Sequence, residues 1–340
     1  MRISVLLTAY NAAWCVERAL DSVFAQGRAP DEVLVADDGS TDDTVARIER
    51  RYGDRVRLLR LPHRGLTPSR RASFDAARGD WLAPLDADDW WEPHKLERQE
   101  QFLTAHPSLR WCGTDGVYVA AEGVIRLSWF SDYFRPVREL HGDLLPHLIE
   151  RCFPLVSSML IERGAYQESG GYDLGIPYSQ DYDLWLKLAA AHPGGMLAEP
   201  LIHYWSSPGQ LSRRYEARNR DDFALMRRVA EGGYRRDPRI EARGAVRAAA
   251  VAFELGLHGL RTGRVAEARH WLELARVRGP WRRRLLAWGG SLTPSAALGG
   301  LMRSNLLKRA VTGSRAGSPP ITIDDDPPAA SAPRARGAVS

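Results

Sequence analysis

The strongest constraint on the fold is an alternation of short apolar runs with segments of helical periodicity through the first 120 residues. Apolar or β-branched runs predict five strands, at 3–7, 32–36, 56–61, 81–85 and 110–119. Helical spacing predicts four helices between them, at 16–26, 42–52, 68–77 and 93–106. Strand–helix–strand alternation with short connections produces right-handed crossovers, so we expect a doubly wound α/β fold with a mostly parallel sheet flanked by helices.

Two of these helices carry start signals. Ser40 and Asp43 have the spacing of a capping box before the second helix, and Pro93 stands at a first-turn position of the fourth. Beyond residue 145, a strand near 155–161, a Gly170-Gly171 turn and a helix at 181–191 predict an antiparallel addition over the sheet edge. We therefore assign residues 1–212 to one domain.

The remainder of the chain has a different composition. Residues 213–312 read as all-helical, and the pair 245–260 and 265–277 resembles one tetratricopeptide unit. Between residues 213 and 315 there are about 23 Lys or Arg against about nine Asp or Glu, although the whole chain of 340 residues carries a net charge of only +5. Residues 313–340 are rich in Pro, Ala, Ser and Gly, which predicts a disordered tail.

Composition also limits the class of protein. No apolar stretch approaches the ~18 residues that span a bilayer, and the first apolar run is too short for a signal peptide, so we expect a cytoplasmic protein. The three cysteines are widely spaced and have no C-x-x-C pairing, which argues against a disulfide framework and against a zinc site.

An acidic loop directly after the fourth predicted strand carries the strongest local chemical signal. Asp86, Asp88 and Asp89 place three carboxylates within four residues, and such groups repel one another unless a cation lies among them. Oxygen ligands of this kind suit Mg²⁺ or Mn²⁺, which can bridge a diphosphate. The alternative is an acidic cluster that favours the dipole of the following helix.

Two further loops follow strands, and the carboxyl ends of parallel strands share one crevice. Asp38, in the second loop, can accept hydrogen bonds from a ribose hydroxyl or a base N–H, although Asp37-Asp38-Gly39 also suits an ordinary β-turn. Thr8 and Tyr10, in the first loop, give a weaker signal, because a tyrosine after a strand more often packs than stacks on a base.

Four segments together resemble glycosyltransferase family 2, whose members are inverting enzymes with the GT-A fold. In chain order they are SVLLTAYNAAWCVERALDSVFAQ, EVLVADDGSTDDT, GDWLAPLDADDWWEPHKLE and GGYDLGIPYSQDYDLWLKLA. Each motif is moderately specific, and the resemblance covers roughly residues 2–212.

The resemblance implies a role for each matching residue, and seven positions match. Those that match the nucleotide-sugar site are Thr8, Tyr10, Asp38, Arg70 and Asp86. Asp88 matches the direct metal ligand of the family's DxD pair, which implies a divalent cation, Mn²⁺ or Mg²⁺, as cofactor. Asp181 matches the general base that deprotonates the acceptor hydroxyl during an inverting displacement.

The chain departs from the family pattern at two positions. Gln180 stands where members commonly have Glu, which leaves one acidic group fewer beside the base. Ser207 stands where a His often completes the metal shell, and His203, four positions earlier on a predicted strand, would not simply replace it.

The predicted activity is transfer of a sugar from a nucleotide-diphosphate sugar, with UDP favoured, to a saccharide or lipid-linked acceptor. One alternative is a nucleotidyltransferase or pyrophosphorylase, but the first loop lacks the Gly-rich, basic phosphate loop that such enzymes use. Another is a non-catalytic scaffold with a degenerate sugar site, which the departures at Gln180 and Ser207 keep open.

The basic helical region has three interpretations: solvated helix faces, peripheral contact with an anionic membrane at its inner face, or nucleic-acid binding. The segment 281–288, WRRRLLAW, mixes Trp, Leu and Arg as interfacial helices do. Nucleic acid is not expected as a partner, because no known nucleic-acid-binding motif is present in the sequence.

Overall fold

A computed structural model describes residues 1–134, 136–206 and 214–276 of the chain. The strands in these residues are β1 (Ile3–Ala9), β2 (Glu32–Asp37), β3 (Arg57–Arg60), β4 (Trp81–Asp86), β5 (Trp90–Trp91), β6 (Trp111–Ala120), β7 (Gly123–Arg126), β8 (Leu140–Gly142), β9 (Leu160–Glu162) and β10 (Gly194–Trp205). The helices are α1 (Val16–Phe24), α2 (Thr44–Tyr52), α3 (Leu66–Ala76), α4 (Lys95–Ala105), α5 (Leu145–Glu150), α6 (Arg163–Glu168), α7 (Gln180–Ala191), α8 (Tyr215–Ala230), α9 (Pro238–Arg261) and α10 (Val265–Arg276).

All ten strands belong to one sheet, in the order β3-β2-β1-β4-β9-β6-β10-β5, with β7 paired to β6 and β8 to β10. Parallel pairing joins β1 to β2 and β4, β2 to β3, and β6 to β10. Short antiparallel strands complete the sheet, and β9 links β4 to β6. The predicted α/β fold is confirmed, with a mixed sheet because these short strands extend the parallel pairs.

The central strand β1 explains why its sequence is a continuous apolar run. All seven of its residues are buried, because helices cover both faces of the sheet. Ile3, Val5 and Leu7 pack into a core with α1 and α4, whereas Leu6 packs into a core with α3 and α7 on the opposite face. The two cores fix the positions of the strand ends from both sides.

Two local predictions about helix starts are wrong. Asp43 is the N-cap residue of α2 and its side chain makes no capping bond, while the Ser40 hydroxyl accepts the Asn11 N–H at 2.9 Å. Helix α4 begins at Lys95, two residues after Pro93. The Pro93 carbonyl accepts the Gly27 N–H at 2.9 Å, so the chain before α4 is bound to the segment that follows α1.

The strand predicted near 155–161 is shorter than expected. A single 3-10 turn occupies Val156–Ser158, and the strand β9 covers only Leu160–Glu162. The turn places the buried Ser157 hydroxyl beside the loop after β4, where it accepts the Asp86 N–H at 3.1 Å. A continuous strand would point alternate side chains away from that loop.

The described part of the chain after residue 213 is helical, as predicted. Helix α9 starts at Pro238, earlier than expected, because the Asp237 side chain caps it by accepting the Arg239 N–H at 2.8 Å. Gly259 allows α9 and α10 to approach closely, since a Cβ there would lie 3.0 Å from that of Ala268. Residue 212, the basic segment 281–288 and the predicted tail at 313–340 lie outside the described residues.

Within the ranges 1–134, 136–206 and 214–276, each helix is too short or too polar to cross a membrane.

Candidate active site

Three loops meet where β1, β2 and β4 end. Thr8 on β1 lies opposite Ala36 on one neighbouring strand and opposite Asp86 on the other. The loops are joined by hydrogen bonds, since the Asp38 N–H donates to the Ala9 carbonyl at 2.9 Å and the Thr41 N–H donates to Asn11 Oδ1 at 2.8 Å. The parallel strands therefore bring Thr8, Asp38 and Asp86 to one edge of the sheet.

Asp38 is a buried carboxylate with several protein partners. Its Oδ1 accepts the Ser69 hydroxyl at 2.6 Å and the Arg64 N–H at 3.0 Å, and its Oδ2 accepts the Gly65 N–H at 2.9 Å. The side chain is 2% exposed. Asp38 thus fixes the loop after β3 and the first turn of α3 against the loop after β2.

Tyr10 lies at the exposed edge of the crevice. Its side chain is 46% exposed and stacks on His63, with ring centroids 4.1 Å apart and planes inclined by 16°. His63 Nδ1 lies 2.9 Å from Asp38 Oδ2. Our sequence analysis missed His63, although the rule that ligands bind beyond strand ends, applied to β3, points to this loop.

Arg70 links the loop after β4 to the start of α7. It is 4% exposed on α3, and its Nη2 forms an ion pair with Asp86 Oδ1. With the Gln180 amide oxygen facing it, Arg70 Nη1 also donates to Gln180 at 2.8 Å. Burial opposes the charged form, but the carboxylates of Asp86 and Asp181 help to raise the pKa of Arg70 above its usual value. Arg70 is therefore a fixed cation between two acidic loops.

Asp181 lies in the first turn of α7, on the other side of Arg70. Its Oδ1 accepts the N–H of its neighbour Tyr182 at 2.9 Å. Burial raises the pKa of Asp181, and the charge of Asp86 adds to this, while Arg70 opposes it. The result is a carboxyl group that is more basic than an ordinary aspartate.

The three aspartates after β4 have different environments. Asp89 is 1% exposed; its Oδ2 accepts the Ser157 hydroxyl at 2.6 Å and its Oδ1 accepts the Trp205 N–H at 2.9 Å. Burial, followed by the charges of Asp88 and Asp86, raises the pKa of Asp89 well above its ordinary range. The shift shows that the Asp89 carboxyl group interacts electrostatically with the carboxylates of Asp86 and Asp88.

The carboxylates of this loop suit a divalent cation that is bound by few protein ligands. In the described residues the only three His, Cys, Asp or Glu side chains whose ligand atoms all lie within 4.8 Å of one another are His106, Glu139 and His141, on other elements. The aspartates after β4 therefore do not form a closed three-carboxylate cage. Mg²⁺ commonly uses one or two carboxylates together with substrate phosphates, which matches this donor set.

A cationic and aromatic cluster flanks Asp88. Arg18 on α1 donates from Nη2 to the Asp88 carbonyl at 2.7 Å, and its guanidinium lies 3.8 Å from the ring centroid of Trp90 and 5.1 Å from that of Trp205. Trp14 is 61% exposed, and its ring centroid lies 6.3 Å from that of Trp205. Sequence analysis missed Arg18, because no local pattern separates it from an ordinary surface arginine of α1.

His203 lies on β10 with its ring stacked on Trp90 at 4.7 Å. Its Nε2 lies 2.6 Å from Glu92 Oε1. Ser207, which replaces the family histidine, lies outside the residues that the structure describes.

The sequence is similar to a family model and to several known proteins. The model of glycosyl transferase family 2 matches residues 4–160. An uncharacterized glycosyltransferase of Nostoc is 40% identical over 101 residues, which are 29% of this chain and 31% of that protein. A chondroitin synthase of Pasteurella multocida is 28% identical over 189 residues, which are 55% of this chain and 19% of the synthase. Each alignment thus spans less than a third of the relative's own length.

Solved structures show the same fold at low sequence identity. TarS residues 1–349 of S. aureus, in complex with UDP-GlcNAc, align with a TM-score of 0.64 and 16% identity over 92% of each chain. A mannosyltransferase of Pyrobaculum calidifontis, in complex with GDP-Man and Mn²⁺, aligns with a TM-score of 0.58 and 17% identity over 92% of this chain and 88% of that one. Residues 4–160 thus match glycosyl transferase family 2, and the chain has a GT-A fold.

Proposed function

We propose that this chain is an inverting glycosyltransferase of the hexosyltransferase type. Its donor is a nucleotide-diphosphate sugar, with UDP favoured, and its acceptor is a saccharide or a lipid-linked saccharide of cell-envelope polysaccharide biosynthesis. The single observation that carries the proposal is the buried Arg70, which pairs with Asp86 on the donor side and lies in the electrostatic field of Asp181. TarS, solved with UDP-GlcNAc, supports the donor class, and the chondroitin synthase supports a role in polysaccharide synthesis.

The donor is bound at the carboxyl ends of β1, β2 and β4. Thr8 and Asp38 contact the nucleoside, and Tyr10 with its partner His63 presents an aromatic surface to the base. Arg70 approaches the diphosphate and fixes Asp86, which faces the ribose. These groups bind and orient the donor without taking part in bond changes.

Asp88 is the proposed direct ligand of a divalent cation, Mn²⁺ or Mg²⁺. When bound, such a cation neutralises the negative charge that develops on the leaving diphosphate. The mannosyltransferase that was solved with GDP-Man and Mn²⁺ supports this assignment, as does the concentration of negative charge around Asp89.

Asp181 is the proposed general base. The acceptor hydroxyl oxygen attacks the anomeric carbon and gives its proton to the Asp181 carboxylate, while the bond from that carbon to the diphosphate oxygen breaks with its electron pair. One displacement inverts the anomeric centre and requires no covalent intermediate with the protein. The raised pKa of Asp181 makes it a stronger base than an ordinary aspartate.

A thermal-shift screen tests the donor class. UDP, GDP and their sugar derivatives are added with and without Mn²⁺, because a ligand that binds only the native state raises Tm by mass action. We expect the largest shift for a UDP-sugar in the presence of Mn²⁺. Equal shifts for nucleoside triphosphates would favour a nucleotidyltransferase, and no shift with any nucleotide would favour a non-catalytic scaffold.

The site of action is proposed from the same chemistry. We place the protein in the cytoplasm. Because a lipid-linked acceptor requires access to a membrane surface, we also propose peripheral contact with anionic lipid through the basic region. Sedimentation with anionic vesicles should fall steeply between low and high salt, since a Debye length of ~10 Å at 0.1 M screens such contacts. Equal sedimentation with neutral vesicles would contradict the membrane role.

A further inference from the structure

Helix α7, which carries Asp181, is bound at its carboxyl end by the segment after α8. Arg235 donates from Nη2 to the Ala189 carbonyl at 2.8 Å and from Nε to the Ala190 carbonyl at 3.1 Å. These carbonyls belong to the last turn of α7, where backbone carbonyls have no N–H partner within the helix. A cation there also favours the helix dipole.

The amino end of α7 is bound by α8 itself. Asp221 Oδ2 accepts the Tyr178 N–H at 2.8 Å and the Ser179 N–H at 3.2 Å. Asp222 Oδ1 accepts the Ser179 hydroxyl at 2.7 Å. Ser179 is the N-cap residue of α7, but its side chain makes no capping bond to that helix. Its N–H and hydroxyl bind α8 instead.

A buried contact joins the same elements between the two ends. Asp183, on the first turn of α7, is fully buried and accepts the Tyr234 hydroxyl at 2.6 Å. Arg228 of α8 lies 3.3 Å from the same carboxylate, and Lys187 lies 2.6 Å from its other oxygen. The helix that begins beside Asp181 is thus bound along its length by residues 221–235.

From these contacts we infer that Asp221 of α8 is a positioning residue for the general base. The inference rests on the proposed role of Asp181. Two consecutive backbone N–H groups on one carboxylate fix the chain two to three residues before Asp181. Without that acceptor both donors lose their partner and the loop can shift, and a displacement of ~1 Å near reacting groups can cost ~10²-fold in rate. Asp221 therefore links α8 to the loop that precedes the general base.

The test compares Asp221→Ala with Glu231→Ala in the full chain. Glu231 lies at the end of α8 in a surface pair with Arg227 and contacts none of these loops, so it is the matched control. The probe is hydrolysis of UDP-GlcNAc in Mn²⁺, measured as UDP release, with UDP affinity measured by calorimetry. We expect Asp221→Ala to lower kcat ~10- to 100-fold with unchanged UDP affinity, and Glu231→Ala to change neither.

Two further measurements separate positioning from folding. Both N–H groups donate to the single oxygen Oδ2, so the amide oxygen of Asp221→Asn can accept both and should recover most of the turnover that alanine loses; equal losses would overturn the inference. Hydrogen exchange of the Tyr178 and Ser179 amides should quicken in Asp221→Ala without global destabilisation, and unchanged exchange would likewise overturn it. Failure of Asp181→Asn to lower turnover would instead contradict the proposed function.

Discussion

The two acidic sides of the crevice are built differently. Asp38, on the donor side, is fixed by three protein donors at 2.6 to 3.0 Å, all from the loop after β3 and the start of α3. Asp181, on the base side, accepts the N–H of its own neighbour, and the charges of Arg70 and Asp86 act on it. A carboxylate with many hydrogen bonds serves as a fixed acceptor, whereas one with few is available to take up a proton.

The difference separates donor binding from proton transfer, and four predictions test it. The largest effect is expected for Asp88→Asn, which should abolish turnover of the donor, because the metal ligand of the donor side is lost. UDP release in Mn²⁺ measures this. The matched control is Asp80→Asn, since Asp80 forms an exposed pair with Arg2. Full activity of Asp88→Asn in excess chelator would contradict the metal assignment.

Asp181→Asn should lower turnover by ~10²–10⁴ while nucleoside diphosphate affinity changes little, since a positioned base contributes about that factor. The substitution preserves volume and removes only the charge. Calorimetric titration with UDP and steady-state rates measure the two quantities separately. If affinity fell as much as turnover, Asp181 would belong to the donor side. Asp173→Asn is the control, because a loss there with an active Asp181→Asn would move the base to that carboxylate.

The acid limb of the rate profile should reflect Asp181. The base must be ionised, and burial raises its pKa, so kcat should fall tenfold per pH unit below a pKa higher than that of an ordinary aspartate. Charged or titratable groups around it are Arg70, Asp86, Tyr172, Cys152 and Asp222. Arg70→Gln removes the opposing cation and should move the limb to higher pH. An unchanged limb would show that Arg70 does not act on this carboxylate.

The smallest effect is expected for donor-side variants whose measured quantity is the free energy of unfolding. Asp38→Ala removes one buried acceptor from three donors and should lower the free energy of unfolding by ~1–3 kcal/mol. Urea unfolding measures this. Ser69→Ala removes a single donor to the same carboxylate and should cost about 1 kcal/mol. Equal costs for the two variants would mean that the backbone donors of Arg64 and Gly65 contribute nothing.

Sequence alone determined the parts of this protein that are local in the chain. Five of the first six strands, β1 to β4 and β6, were predicted, whereas the two-residue strand β5 was missed. For β1 the signal was the continuous apolar run that a strand covered on both faces by helices needs. The chain positions of Asp38, Asp86, Asp88 and Asp181 follow from motifs at strand ends or helix starts. The convergence of the first three loops could also be predicted, because parallel strands place their carboxyl ends at one edge.

The tertiary structure alone decided which of these groups touch and what each is bound to. The pairing of Arg70 with Asp86, the stacking of His63 on Tyr10 and the binding of the loop before Asp181 by Asp221 join elements that lie 16, 53 and more than 40 residues apart. Ser40 was expected to cap a helix and instead binds Asn11 on the neighbouring loop. Periodicity and capping rules describe neighbours along the chain, whereas side-chain partners across a sheet edge depend on how helices pack against both of its faces.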